Sequence, residues 1–240
     1  GNLCKYMYKG NTNLLGGFGQ YVSVPSEQVF EIDDSVSFEE AALTEPISCA
    51  IHSLREAKAQ FTDAMLVYGA GPMGMLHVIV GKAMGLEVGV VDPDPVRREK
   101  AIELGARFAA WSDLDVELNQ AVKEGFGIAP DIVIVTAPAV QAALSAIAVA
   151  GNNSRVVLFG MFPKGAAMPI DLNKIHYSEI QVMGSSSRTP HDFHLAVEAM
   201  SAGIVDARPM VSKVVALDDI HGALSETPSA EVMRVIVSLD

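Results

Sequence analysis

The sequence predicts an α/β protein built on a doubly wound parallel sheet, and three observations support this prediction. Short apolar runs alternate with segments of helical length between residues 46 and 187. Two of these runs, DIVIV and RVVLF, show no polar alternation, as is typical of parallel strands covered by helices on both faces. A glycine-rich turn lies between the first run and the first helical segment.

The first strand, helix and second strand are predicted at MLVY, PMGMLHVIVGKAM and EVGVVD. The two outer runs are short and apolar, whereas the middle segment has the length of a helix and starts with a proline, which suits a first helical turn. The alternation continues through RREKAIELGA, RFAAW, DLDVELNQAVKEG, DIVIV, AVQAALSAIAVAG, RVVLFG and IQVMGS. We therefore predict six strands in one sheet, with helices between them.

The flanks of this region have different patterns and are assigned to a second, discontinuous unit. GGFGQYVSVP alternates like an exposed strand, PHDFHLAVEAMSAG is an amphipathic helical segment, and VMRVIVSL resembles a strand. The predicted boundaries are 1–45 and 188–240 for this unit and 46–187 for the sheet domain. No low-complexity linker separates the units, so we expect them to pack closely.

Composition restricts the possible functions. Half of the 240 residues are hydrophobic, the net charge is -12, and the basic residues are scattered, so nucleic acid is not an expected partner. The longest apolar stretch, 64–91, is interrupted by glycine, proline and charged residues, and no membrane span is predicted. Two cysteines, Cys4 and Cys49, are too few for a secreted disulfide framework, and we expect a cytoplasmic protein.

Gly69, Gly71 and Gly74 form a G-x-G-x-x-G motif directly between a predicted strand and a predicted helix. In dinucleotide-binding Rossmann domains the first glycine permits a tight turn, the second lets the backbone approach a pyrophosphate, and the third packs the helix against the strand. The helix start, with Pro72 and Met73, would bind the pyrophosphate through N–H groups. An isolated motif is often only a turn, but its position here favours a nucleotide site.

Asp92 ends the second predicted strand about 20 residues beyond Gly71, where a carboxylate accepts hydrogen bonds from the adenosine ribose. Because its charge would repel a ribose phosphate, NAD is predicted over NADP. Arg97 is close enough in sequence to weaken this preference if its side chain turns inward. Methyltransferase sheets have a similar loop and acid, so the fold alone does not exclude S-adenosylmethionine.

Five segments together resemble the sorbitol and polyol branch of the medium-chain zinc alcohol dehydrogenases: GGFGQYVSVP, AALTEPISCAIHS, VYGAGPMG, VVDPDPVRREKAIELGA and IHYSEIQVMGSSSRTPHDF. The resemblance covers essentially the whole chain, and methyltransferases do not share the segments on either side of the sheet. It implies an NAD(H)-dependent oxidoreductase that converts a secondary alcohol of a polyol or sugar alcohol to a ketone. It also implies that the flanks are remnants of a discontinuous, mostly β catalytic domain, and that copies form a dimer or tetramer through the strand near 180–184.

The resemblance further implies roles for individual residues at strand ends. Thr136, Phe159, Gly160 and Ser185 would border the nicotinamide side of the crevice, with ordinary strand-end packing as the alternative.

Two residues resemble zinc ligands of the family. Glu45 lies where the family places a ligand of the catalytic zinc, bound directly or through water; an ordinary helix-start acid is the alternative. Cys4 resembles the last of four cysteines that bind a structural zinc. His191 and His194 are three residues apart on a predicted helix but have no evident third ligand, so a solvated helix face is the preferred interpretation.

The chain departs from the family at the catalytic metal. The remaining family ligands, a cysteine and an adjacent His-Glu pair, would precede residue 1, and no His-Glu dipeptide occurs in the 240 residues. We therefore expect an incomplete amino end, no tight binding of catalytic zinc by this chain alone, and exposed apolar side chains at Phe18, Tyr21, Val22 and Val24. Two alternatives stay open: a non-catalytic NAD-binding fragment, and a zinc-free quinone reductase relative that favours NADPH.

Overall fold

The computed structural model describes residues 17–112, 115–226 and 229–239. Six strands form the main sheet: β1 (Ala64–Tyr68), β2 (Glu87–Val91), β3 (Phe108–Ala110), β4 (Ile132–Val135), β5 (Arg155–Leu158) and β6 (Gln181–Gly184). All neighbouring strands are parallel, and their order is β3-β2-β1-β4-β5-β6. With β1 and β4 adjacent at the centre, this is the doubly wound arrangement. The predicted fold class and its six strands are confirmed.

Nine helices occur in the described parts of the chain: α1 (Phe38–Ala41), α2 (Thr44–Glu56), α3 (Pro72–Ala83), α4 (Pro95–Glu103), α5 (Asp115–Phe126), α6 (Val140–Val149), α7 (Leu172–Tyr177), α8 (Pro190–Ser201) and α9 (Ile220–Ser225). Three short 3-10 turns lie at Ser26–Gln28, Arg208–Met210 and Leu217–Asp219. None of the described helices combines the length and the apolar character that a membrane crossing requires.

The continuous apolar strands are explained by two hydrophobic clusters, one on each face of the sheet. Met65 and Val67 of β1 face one cluster, together with buried residues of α2, α3 and α8. Leu66 and Tyr68 face the other, together with residues of α5 and α6. Because successive side chains of a strand point to opposite faces, a strand covered on both faces must be apolar at every position.

A second, small sheet follows α8 in the chain. β7 (Val211–Ala216) pairs in parallel with β8 (Arg234–Ser238). Met210 and Met233, which precede these strands, are buried in the same cluster as α2 and α3. The carboxyl segment therefore packs directly on the main sheet domain, and the boundaries 1–45, 46–187 and 188–240 stay a prediction.

The amino-terminal flank differs from the prediction. Residues 17–25 form no strand in the described structure, although GGFGQYVSVP alternates. The reason is that an alternating pattern becomes a strand only when a neighbour accepts its backbone hydrogen bonds, and no described segment does so here. The expected exposure is confirmed, with relative accessibilities that identify an apolar surface: Phe18 62%, Tyr21 93%, Val22 51% and Val24 48%.

Candidate functional site

The glycine loop joins β1 to α3 at the carboxyl edge of the sheet. Gly69 has a φ of +97°, and a Cβ there would lie 2.8 Å from the Thr136 hydroxyl oxygen. A Cβ on Gly74 would lie 1.8 Å from the carbonyl oxygen of Gly69, so the helix packs against the strand end with no room for a side chain. A Cβ on Gly71 would meet nothing within 4 Å. The loop therefore presents bare backbone to the crevice at Gly71.

The start of α3 faces the same crevice. Gly71 is the N-cap residue, Pro72 occupies the first turn, and no side chain caps the N–H groups. Because these groups have no partner within the helix and carry the positive end of its dipole, they favour an anion.

Asp92 follows β2 and is hydrogen-bonded to the glycine loop. Its carboxylate is 4% exposed and accepts hydrogen bonds from the backbone N–H groups of Ala70, at 2.7 Å, and Asp94, at 2.8 Å. The Arg98 guanidinium donates to the backbone carbonyl of Asp92 at 2.7 Å. Since a carboxylate offers about four acceptor positions, roughly two remain for hydroxyl groups. Arg97, in the first turn of α4, has a buried Nε without a hydrogen-bond partner among the described residues.

The other predicted strand-end residues hold neighbouring strand ends together or line a cavity. The Thr136 hydroxyl lies 3.0 Å from the Tyr68 carbonyl oxygen and 2.9 Å from that of Gly69, and a Cβ on Gly160 would lie 2.7 Å from the Thr136 carbonyl. These two positions hold the strand ends together. Phe159, Gly160 and Ser185 line an open cavity of about 850 Å³, and the buried Ser185 Oγ has no partner within the described residues.

Glu45 lies in the first turn of α2 and is half exposed. One of its carboxylate oxygens lies 3.4 Å from an Arg188 guanidinium nitrogen and accepts a hydrogen bond from the Cys49 thiol at 3.4 Å. Burial, with the nearby Glu45 charge, raises the pKa of the Cys49 thiol to about 12. The thiol therefore stays protonated at neutral pH. Glu45 also borders an apolar cavity of about 620 Å³ beneath β8.

The described residues do not assemble a zinc site around Glu45. In residues 17–112, 115–226 and 229–239, no group of three or more His, Cys, Asp or Glu side chains could hold a metal ion. A catalytic zinc requires three protein ligands and an open position. His194 pairs with Glu198 at 3.3 Å on the exposed face of α8, one turn from His191. This pairing is typical of a solvated helix face. Cys4 lies outside the described residues.

Two residues near the crevice were missed at the sequence level. His77 in α3 is fully buried; its Nδ1–H donates to the Met73 carbonyl at 2.7 Å, and its Nε2 accepts from the Ser53 hydroxyl at 2.8 Å. Burial lowers its pKa to about 4. Arg234 in β8 places a guanidinium nitrogen 3.4 Å from the Met73 sulfur, and its buried Nε has no hydrogen-bond partner in the described chain. The sequence signal that could have identified Arg234 was a single positively charged residue inside the apolar run VMRVIVSL.

Comparison with known proteins identifies the family. The profile described as zinc-binding dehydrogenase matches residues 72–202, which is more than half of the chain. The chain belongs to the zinc-binding dehydrogenase family. The resemblance read from the sequence is confirmed, and the methyltransferase alternative is excluded.

Several relatives of this chain are named as dehydrogenases. The 2-dehydro-3-deoxy-L-galactonate 5-dehydrogenase of Pseudoalteromonas atlantica is 28% identical over 93% of this chain and 65% of its own length. The (R,R)-butanediol dehydrogenase of Bacillus subtilis is 33% identical over 85% of this chain and 58% of its own. A sorbitol dehydrogenase of Halalkalibacterium halodurans is 28% identical over 99% and 69%. The chain thus spans about two thirds of the length of these relatives.

Solved structures share the fold of this chain. An alcohol dehydrogenase from E. coli CFT073 in complex with NADH superposes with a TM-score of 0.82, at 24% identity, over 90% of this chain and 64% of that one. A structure from Sinorhizobium meliloti that holds NADP has a TM-score of 0.84, at 25% identity, over 92% and 66%. One of these two structures thus holds NADH and the other NADP.

Proposed function

We propose that this chain is the coenzyme-binding part of an NAD(H)-dependent, zinc-type dehydrogenase that oxidises secondary alcohols. The observation that carries the proposal is the glycine loop: Gly74 packs against Gly69 without space for a side chain, while Gly71 opens onto the crevice beside an uncapped helix start. This combination suits a pyrophosphate, which needs close approach to backbone N–H groups.

Unpartnered polar atoms support the fit to a dinucleotide. In the described residues, three buried side-chain nitrogen or oxygen atoms have no hydrogen-bond partner: Arg97 Nε, Ser185 Oγ and Arg234 Nε. Arg97 follows β2, Ser185 follows β6, and Arg234 contacts Met73 at the start of α3, so all three border the carboxyl edge of the sheet. Because buried polar groups are nearly always paired, such atoms near the carboxyl edge of the sheet support the binding of a polar ligand there.

The chain's own residues then take distinct roles. The N–H groups of Gly71 to Met73 bind the pyrophosphate, and the Arg234 guanidinium adds positive charge beside them. Asp92 accepts hydrogen bonds from the adenosine ribose, which favours NAD over NADP. Ser185 and Phe159 orient the nicotinamide end. When bound, NAD would supply the hydride acceptor for oxidation of the alcohol to a ketone, with release of the hydroxyl proton.

We retain Glu45 as a proposed ligand of a catalytic zinc, direct or through water, and Cys4 as a proposed ligand of a structural zinc. The described residues alone do not complete either site, so no step is derived through the metal. The substrate class is a polyol or sugar alcohol, in keeping with the names of relatives such as sorbitol dehydrogenase.

The first experiment is a fluorescence titration of the 240-residue chain with NADH and NADPH. We expect NADH to bind at least about tenfold more tightly, because Asp92 opposes a ribose phosphate. An assay of NAD reduction with sorbitol and butane-2,3-diol, with and without Zn²⁺, then separates a dehydrogenase from a non-catalytic NAD-binding fragment. Absence of NADH binding would refute the proposal, and tighter NADPH binding would favour the quinone reductase alternative.

We also propose that copies of the chain associate as a dimer or tetramer through the edge of β6. Gln181 and Val182 on this strand are exposed, and one side of β6 has no neighbour within the described sheet. Light scattering at micromolar concentration should detect the assembly, and Val182→Lys should weaken it. A wild-type monomer would contradict this proposal.

We further propose that residues 46–187 form one unit, that 1–45 and 188–240 belong to a second unit, and that the protein is cytoplasmic. The low cysteine content supports a reducing compartment.

Limited proteolysis should cleave first between 17 and 37, where the chain forms no α-helix or strand in the described structure, and should spare 46–187.

A further inference from the structure

His77 is a buried polar residue that no step of the proposed function uses. Its side chain is fully buried, so it cannot touch a ligand in the crevice. The ring is held by two hydrogen bonds, from its Nδ1–H to the Met73 carbonyl at 2.7 Å and from the Ser53 hydroxyl to its Nε2 at 2.8 Å. Met73 belongs to the first turn of α3 and Ser53 to α2. His77 therefore has one fixed orientation.

The fixed ring supports Phe159. The two ring centroids are 4.7 Å apart and the planes meet at 81°, which is the edge-to-face arrangement that aromatic rings prefer. Phe159 follows β5, its backbone N–H bonds to the Val135 carbonyl at 3.0 Å, and it lines the open cavity that Ser185 also borders. His77 thus lies behind an aromatic ring that lines this cavity.

We propose that His77 is a positioning residue for the nicotinamide half of the coenzyme: it holds the Phe159 ring in place and links it to the start of α3. The proposal rests on the proposed function. It predicts that loss of the His77 ring weakens binding of the nicotinamide half of the coenzyme more than binding of the adenosine half. The adenosine half is held by Asp92 and the glycine loop, whereas only the nicotinamide half depends on Phe159.

The test compares two ligands that differ only at that end. NADH and ADP-ribose are titrated against the 240-residue chain and against His77→Leu, which removes the ring but keeps an apolar side chain of similar size. We expect NADH binding to weaken about tenfold, and ADP-ribose binding to stay within about twofold of wild type. Ser53 keeps a partner in this variant, since its hydroxyl also lies 2.8 Å from the Ala50 carbonyl.

Two further variants separate positioning from packing. His77→Phe restores a ring beside Phe159 and should recover most of the lost NADH affinity. Ser53→Ala removes only one of the bonds that orient His77 and should weaken NADH by about threefold, which keeps the test available if His77→Leu fails to fold. A parallel loss for NADH and ADP-ribose, no loss for either, or no recovery in His77→Phe would overturn the inference. A wild-type chain that binds neither ligand would instead refute the proposed function.

Discussion

Two regions of the molecule differ in how completely this chain builds them. At the glycine loop, the Asp92 carboxylate and the Thr136 hydroxyl both bond to the backbone around the loop, the first contact buried and the second partly buried. Glu45, by contrast, is half exposed and contacts Arg188 at 3.4 Å, while the nearby Phe38 is 85% exposed. The first region is held by several hydrogen bonds within the described chain. The second supplies one carboxylate beside exposed apolar surface.

The proposed coenzyme site and the proposed zinc ligand are built by different parts of the chain. The residues proposed to bind the nucleotide lie mostly between β1 and β6 and pack on one sheet, with Arg234 of β8 beside the start of α3. The surroundings of Glu45 come from α1, α2 and the flanking segments, whose apolar side chains remain partly uncovered. We therefore expect substitutions at the tightly packed Gly74 to affect stability and binding together, and substitutions at Glu45 to affect neither in this chain.

The largest effect is expected for Gly74→Ala. The new methyl group would lie 1.8 Å from the Gly69 carbonyl oxygen, a backbone atom that cannot move without opening the loop. We expect a loss of about 3 kcal/mol or more, a decrease in Tm of roughly 6–12 °C, and no measurable NADH binding. Gly71→Ala is the matched control, because its methyl group meets nothing within 4 Å. Its Tm should stay at the wild-type value while NADH binding weakens; equal Tm values for the two variants would contradict the assigned roles.

A pH dependence of stability should follow from His77. Its pKa is about 4 in the folded protein and about 6.5 when unfolded, because burial disfavours the charged ring. The unfolded chain therefore binds more protons between these values, and stability falls as pH decreases from 6.5 to 4. The expected loss is about 3 kcal/mol, measured by urea unfolding. His77→Phe should flatten the profile in this window; an unchanged profile would show that another group controls it.

Asp92→Asn should have a smaller effect, focused on coenzyme choice. An amide cannot accept from both backbone N–H groups that now bond to the carboxylate, and it removes the charge that opposes a ribose phosphate. NADH binding should weaken about tenfold, and the preference for NADH over NADPH should decrease by a similar factor. Asp94→Asn is the control, since Asp94 accepts the N–H groups of Val96 and Arg97 as the N-cap of α4, a role that asparagine fills equally well. An unchanged NADH preference in Asp92→Asn would contradict the ribose assignment.

The smallest effect is expected for Glu45→Gln. Its pair with Arg188 is partly exposed at both side chains, and exposed ion pairs contribute about 1 kcal/mol or less. The free energy of unfolding and the NADH affinity should both match wild type within error. Strong loss of NADH binding would show that Glu45 and the proposed nucleotide site are coupled.

The fold class and the glycine loop could be predicted from sequence because their signals are local. The alternation of apolar runs with helical segments reflects burial on both faces of each strand, and the motif places Gly69, Gly71 and Gly74 within six residues. Asp92 was likewise found from its distance along the chain. Each of these features depends on residues close in sequence, where periodicity and backbone geometry act directly.

What depended on tertiary structure involves residues far apart in sequence. His77 meets Phe159, and Arg234 meets Met73, only because the sheet brings distant segments together. The alternating segment at 17–25 shows the converse, since its pattern predicts a strand but the described residues offer no neighbour. Sequence alone determined which segments can form strands and helices and where the glycine loop lies between them. Long-range packing decided which strands pair and which side chains are buried, including the buried polar atoms without a partner in the described residues. Hydrogen bonds and contacts between distant segments leave no local sequence pattern.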